Sequence, residues 1–153
     1  MKHLISVLVC IIAIAMVQPG YAVDNALTDA SNSQELLKGL KARVQENDPA
    51  VEETFSQLNQ FFTDNPDETG KARFLNIKAY YFILKQDYVL AYEALLLARK
   101  RANAIDNATA LAESYRLEGL ILDLSGEHAN ALEAMHRALD IFNKEESDRV
   151  LLV

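Results

Sequence analysis

The sequence predicts an all-α protein made of antiparallel helical hairpins stacked on one another. Three observations predict it. First, a shift of forty residues lays Ala72, Leu84, Ala91, Glu93, Ala94 and Ala98 on Ala112, Leu124, Ala131, Glu133, Ala134 and Ala138. Other pairs keep their character: Leu75 with Tyr115, Ala79 with Gly119, Phe82 with Leu122, Leu95 with Met135. Composition alone would give about two or three identities in such a window, so the segment is read as a repeat. Second, apolar residues recur at helical spacing, and no run alternates as a strand does. Third, the 153 residues include only 5 Gly and 3 Pro, are 50% hydrophobic, and suffice for one domain with a core.

Taken in order, residues 1–22 read as an export signal. Lys2 and His3 precede an apolar run from Leu4 to Val17, interrupted only by Ser6 and shorter than the roughly 20 residues of a comfortable membrane span. Gln18-Pro19-Gly20 breaks it, and Gly20 and Ala22 are the small residues a signal peptidase tests, so cleavage is expected after Ala22. An uncleaved anchor is the alternative. Cleavage would remove Cys10, the sole cysteine, leaving no disulfide or thiol chemistry. That combination fits the periplasm of a Gram-negative bacterium. Residues 23–32 are small and polar and read as a flexible leader.

An opening hairpin is expected over residues 33–65. Leu36, Leu37, Leu40 and Val44 form one stripe from about Ser33 to Gln45, and Asn47-Asp48-Pro49 turns the chain. Pro49 is expected at the first helical position, where its missing N–H costs nothing. A second helix to Phe62 presents Val51, Phe55, Leu58, Phe61 and Phe62. Asn65 is expected to cap the following helix, with Pro66 behind it and Glu68 reaching back. This pair lacks the small residues of the later copies, so it is either a degenerate repeat or a cap.

The first copy, residues 66–109, is expected as helices from Ala72 to Lys85 and from Tyr88 to about Arg101, around Gln86-Asp87. The second, residues 110–143, is expected as helices from Ala110 to Leu124 and His128 to Phe142, around Ser125-Gly126-Glu127. Gly126 falls where a left-handed cap is wanted. Lys144 to Asp148 read as a connector, and Arg149 to Val153 as the first turn of a further helix. The last hairpin's apolar side is then expected either to be covered by more chain or to dock on a partner or a second copy.

Small residues set the expected packing. Ala79, Ala91, Ala98, Gly119, Ala131 and Ala138 lie at recurring positions where helix axes approach closely. Gly in mid-helix costs roughly 1 kcal/mol relative to Ala, so Gly119 needs that compensation. Phe82, Leu95, Leu122 and Met135 are expected to fill the space beside these contacts.

The pattern Tyr115-x-x-Glu118-Gly119-x-x-Leu122, Gly126, Ala131-x-x-x-Met135-x-x-Ala138 resembles the tetratricopeptide repeat. Leu75-x-x-Lys78-Ala79-x-x-Phe82, Ala91-x-x-x-Leu95-x-x-Ala98 is a weaker version. Leu75 and Tyr115 replace the family's Trp, Lys78 and Glu118 its Leu, and no Pro closes either copy. The period exceeds the usual 34. Asn103 to Thr109 hold the extra residues, as a longer connector or as extended helices. Longer repeats of this sort are similar to those of bacterial sensor and regulatory proteins. The resemblance covers about half of the chain and implies a short right-handed solenoid whose first helices line a peptide-binding groove. It would be faced by Arg73, Asn76, Tyr80 and Ile83 in copy one and Glu113, Arg116, Leu120 and Asp123 in copy two. Exported arrays of this kind often precede a membrane helix and a GGDEF or histidine-kinase output; these residues contain no such output.

Chemistry is not expected. The formal charge of −7 argues against gripping a nucleic-acid backbone or anionic lipid. His128 and His136 are about 12 Å apart along a helix and cannot share a metal. Glu52-Glu53, Asp67-Glu68 and Glu145-Glu146 sit at helix starts or in loops, where they serve the helix dipole or solubility. Arg99-Lys100-Arg101 near a helix C-terminus has the same dipole explanation. No phosphate loop, nucleotide fingerprint or nucleophile motif is present. The expected function is a non-catalytic, cofactor-free module that binds a protein or peptide. The alternative is a small-ligand receptor or enzyme using the inter-helix groove, for which Glu118 and Asp123 are the residues to inspect.

Overall fold

A computed structural model of the chain describes the backbone of residues 33–151 and the side chains of residues 33–146. The expected signal and leader, residues 1–32, lie outside the described residues. The rest forms six helices: α1 (Ser33–Gln45), α2 (Val51–Asp64), α3 (Glu68–Leu84), α4 (Tyr88–Ala104), α5 (Ala108–Leu124) and α6 (His128–Leu151). No strand occurs among the described residues. The described part of the chain is all-helical, as its periodicity predicts.

The turns show how the forty-residue repeat is built. Asp67, Asp87 and Asn107 stand twenty residues apart, and each carboxylate or amide oxygen accepts from the backbone N–H three residues on, Gly70, Leu90 and Ala110, at 2.8, 3.1 and 2.9 Å. These side chains satisfy donors that a helix start leaves orphaned. Gln86, Asp106 and Gly126, again twenty apart, have positive φ of 60, 51 and 81°. After each, an N–H returns to a carbonyl five residues back: Asp87 to Phe82 at 2.9 Å, Asn107 to Ala102 at 2.8 Å, Glu127 to Leu122 at 2.8 Å. This is the Schellman closure, in which glycine avoids the roughly 1–2 kcal/mol that a Cβ costs in the left-handed region. Asn47, φ 53°, closes α1 in the same way.

The α2–α3 turn departs from this rule because Pro66 cannot take positive φ. Asn65 instead ends α2, its N–H and its side-chain amide both donating to the Phe61 carbonyl at 2.8 and 3.0 Å. The expected cap at Asn65 therefore moves to Asp67, and Glu68 turns outward to pair with Arg101. Pro49 likewise precedes its helix, which begins at Val51. The extra residues of the long period become extended helices: α4 runs to Ala104 and α5 starts at Ala108.

A larger correction falls at the C-terminus. The connector expected over Lys144 to Asp148 is helical, and α6 continues from His128 to Leu151 without a break. Residues 143–149 contain no Gly or Pro to stop it. Thr109 of α5 also donates to the Glu145 carboxylate at 3.0 Å, tying the extension to the preceding helix.

The core follows the small residues. Ala79, Ala91 and Ala98 are fully buried, Ala131 and Ala138 nearly so, and Gly119 is buried with them. Ala79, Ile83, Ala91, Leu95, Leu117 and Ile121 join α3, α4 and α5 in one cluster. Ala72, Ala102 and Ala110 form a second, at the other end of the same three helices. Met135 and Phe82 border the close contacts as expected, though Met135 stays 40% exposed. The opening pair packs differently. Phe55 and Phe62 of α2 meet Phe74 of α3 at ring distances of 5.9 and 5.8 Å, and Phe55 meets Tyr81 at 5.2 Å. Rings rather than alanines join these two helices.

Candidate interaction surface

The first helices of the successive pairs run side by side in one direction. Ser33 at the start of α1 bonds Asp67 at the start of α3, and Lys85 after α3 bonds Asn47 after α1. α3 and α5 are joined in the same sense by buried polar groups. Asn76 Nδ2 donates to the Ala110 carbonyl at 2.8 Å; Ser114 Oγ lies 2.6 Å from Asn76 Oδ1 and 3.0 Å from the Ala110 carbonyl. The single hydroxyl proton serves the nearer acceptor. Both side chains are almost wholly buried, and no buried side-chain polar atom among the described residues lacks a partner. Such a satisfied set fixes how one helix sits on the next, because any slip strands polar groups away from water.

This arrangement divides the eight residues expected to face a groove. Asn76 and Ile83, both 3% exposed, are not groove residues. They face α5, which covers that side of α3. Their counterparts in copy two, Arg116 and Asp123, stay exposed because no described helix covers the same side of α5. Arg73 is exposed, while Tyr80, Glu113 and Leu120 are half-buried. The accessible candidates are thus Arg73, Tyr80, Glu113, Arg116, Leu120 and Asp123.

Three of these charges, on Glu113, Arg116 and Asp123, are already paired. Arg116 Nε and Nη2 donate to the two Glu113 oxygens, each at 2.8 Å, a bidentate fork that raises the guanidinium pKa against the opposing effect of partial burial. Asp123 Oδ1 lies 2.8 Å from His128 Nδ1, with both side chains largely exposed. Glu118, the other acid singled out, meets Arg99 of α4 at 2.6 Å, with about a fifth of either side chain exposed.

The positions that depart from the repeat pattern acquire partners here. Tyr115 receives the Arg99 guanidinium 5.2 Å from its ring centre and that of Arg137 at 6.0 Å, so one ring links α4, α5 and α6. Lys78 lies 5.8 and 5.9 Å from the Phe55 and Phe82 ring centres. Arg99 and Arg101 both tie α4 to a neighbouring helix, through Glu118 and Glu68. Arg101 also lies in the last turn of α4, where a cation complements the helix dipole as expected.

Two tyrosines are perturbed. Burial, then the hydrogen bond to Glu52 and its charge, pushes the Tyr81 hydroxyl above its ordinary range. Burial, with the charges of Glu118 and Glu127 and against that of Arg99, does the same to Tyr92. Neither is placed against a nucleophile or metal group, and no cluster of three or more metal-ligating side chains occurs among the described residues. An open cleft lies between the start of α3, the end of α4, the start of α5 and α6, lined by Thr69, Asn103, Asp106, Leu111, Ile141 and Lys144.

Sequence reasoning missed the Asn76–Ser114 pair. The signal was present, since the forty-residue shift sets Ser114 on Phe74, a polar residue at a core position. The last hairpin's apolar side, expected to need a cover, includes Leu132, Met135, Leu139 and Phe142 of α6, which are 38–59% exposed along one stripe. The chain matches no family model, no curated protein and no solved structure.

Proposed function

We propose that this chain is a non-catalytic, exported protein-interaction module, a short solenoid of long-period tetratricopeptide-like hairpins that holds a peptide or protein partner. One observation carries the reading. α1, α3 and α5 lie side by side in one direction, and capping and closing residues recur every twenty positions through α3, α4 and α5. The partner would lie across α3 and α5, meeting Arg73, Tyr80, Glu113, Arg116, Leu120 and Asp123. The paired charges of Glu113, Arg116 and Asp123 suit an extended peptide that exchanges one ion pair for another, and Tyr80 and Leu120 supply apolar contact. Residues 1–22 would direct the chain to the periplasm and be cut after Ala22, and the sensory or scaffolding role belongs to that compartment.

A peptide-display library panned against the purified chain tests the reading. Enriched peptides should share a motif, and their binding should fall at least tenfold in Arg116→Glu and Arg73→Glu while surviving His136→Ala on exposed α6. No enrichment, or binding indifferent to both arginines, would remove the groove. N-terminal sequencing of the chain from a periplasmic fraction tests export separately; a chain beginning at Val23 is expected.

A further inference from the structure

Among the described residues, α6 carries an apolar stripe that nothing covers. Leu132, Met135, Leu139 and Phe142 are 59, 40, 52 and 38% exposed, and their spacings of three, four and three residues place them on one line along the helix. The corresponding residues of α4, forty positions earlier, are Tyr92, Leu95, Arg99 and Ala102. Leu95 and Ala102 are fully buried there, beneath α5. A face that is covered on α4 is thus open on α6 among the described residues.

Two polar residues extend the line by one helical step at either end. His128 lies four residues before Leu132, and Glu146 four residues after Phe142; both are exposed. The six positions read the same from either direction, as spacings of four, three, four, three and four. Turned end for end, the stripe therefore matches itself. Leu132 meets Phe142 of the second copy, Met135 meets Leu139, and His128 at either end meets Glu146. A parallel arrangement would instead set Glu146 on Glu146 and His128 on His128.

We infer that α6 is a homodimerisation helix, pairing antiparallel with α6 of a second copy of this chain about a twofold axis between Met135 and Leu139. Such an interface is isologous, every contact occurring twice. His128 keeps Asp123 on Nδ1 at 2.8 Å, and its other ring nitrogen serves Glu146 of the second copy. From His128 to Glu146 the helix spans about 27 Å at 1.5 Å per residue. A single helix-on-helix seam is small beside the roughly 800 Å² per partner of a standard stable interface, so a reversible monomer–dimer equilibrium is expected. The inference is independent of the peptide-binding reading, which uses α3 and α5.

Sedimentation equilibrium of the full chain across the micromolar range tests it. A monomer–dimer equilibrium is expected, with Leu132→Asp plus Leu139→Asp weakening it at least tenfold. Both leucines are more than half exposed, so the variant should keep the wild-type circular dichroism spectrum. A charge exchange keeps the test sharp should that variant misfold. Glu146→Lys alone should weaken the dimer several-fold by facing Lys against His128, and adding His128→Glu should restore it. In a parallel pair Glu146→Lys would bring no loss. A chain monomeric throughout overturns the inference; association indifferent to Glu146→Lys overturns the antiparallel register.

Discussion

Gly119 of α5 sits directly against Ala131 of α6: a Cβ added to Gly119 would stand 3.1 Å from the Ala131 carbonyl oxygen and 2.8 Å from Met135 Cγ. Real Cβ atoms essentially never come as close as the second distance. The missing side chain at 119 is thus what lets the two helices of this hairpin approach. Gly119→Ala gains about 1 kcal/mol of helix propensity but must displace Met135, so the two effects nearly cancel. Gly119→Val adds branches that also press on the Ala131 carbonyl and should cost about 2 kcal/mol in urea unfolding. Adding Met135→Ala should recover part of that loss, and no recovery would place the strain elsewhere.

Ala131→Leu and Ala91→Leu should each cost about 1–3 kcal/mol through overpacking of a helix contact. Ala91 is fully buried and Ala131 is 5% exposed, so Ala91→Leu should be the more damaging. Thermal unfolding of both variants measures it. A variant as stable as the parent would mean that its hairpin can open without loss.

Ser114→Ala leaves the buried Asn76 Oδ1 without its 2.6 Å donor and should cost about 1–3 kcal/mol. Asn76→Leu should cost less alone, since the Ser114 hydroxyl can then donate to the Ala110 carbonyl 3.0 Å away. The double variant should be less destabilised than the two costs added together, because one replacement removes the partner the other lacks. A double-mutant cycle with zero coupling would separate the two residues.

Alkaline stability should respond to Tyr81 and Tyr92. Both hydroxyls titrate above the unfolded value of 10.0, so the folded chain holds protons that the unfolded chain loses first. Their contribution is intact below about pH 10 and falls as pH rises through the folded values. Urea unfolding at pH 8 and above pH 10 should show the loss, and Tyr81→Phe should make it shallower. Its cost at pH 8 should be small, since Glu52 is exposed and returns to water.

Periodicity and turn chemistry were legible in the residues themselves because both are local. Leu37, Leu40 and Val44, then Val51, Phe55, Leu58 and Phe62, are buried along the stripes that their spacing predicts. Gly126 has the positive φ that its place after an apolar run requires. The caps were less legible, since Asn65 and Asp67 are both good capping residues and the choice fell to Pro66, which closes the left-handed route. The end of α6 was misread because a repeat period was extended over residues that carry no helix breaker.

By itself the sequence determined that the chain is helical, where its turns fall, and that its second and third pairs are copies with alanine and glycine at the close contacts. Those follow from backbone preferences and from side-chain size, which any residue carries wherever it is placed. Only the tertiary structure decided which side of each helix is covered. Asn76 and Arg116 occupy the same position in their copies, yet one is buried and bonded to the next helix and the other faces water. Burial depends on what lies alongside, and a periodic pattern says that a face exists without saying whether a neighbour reaches it.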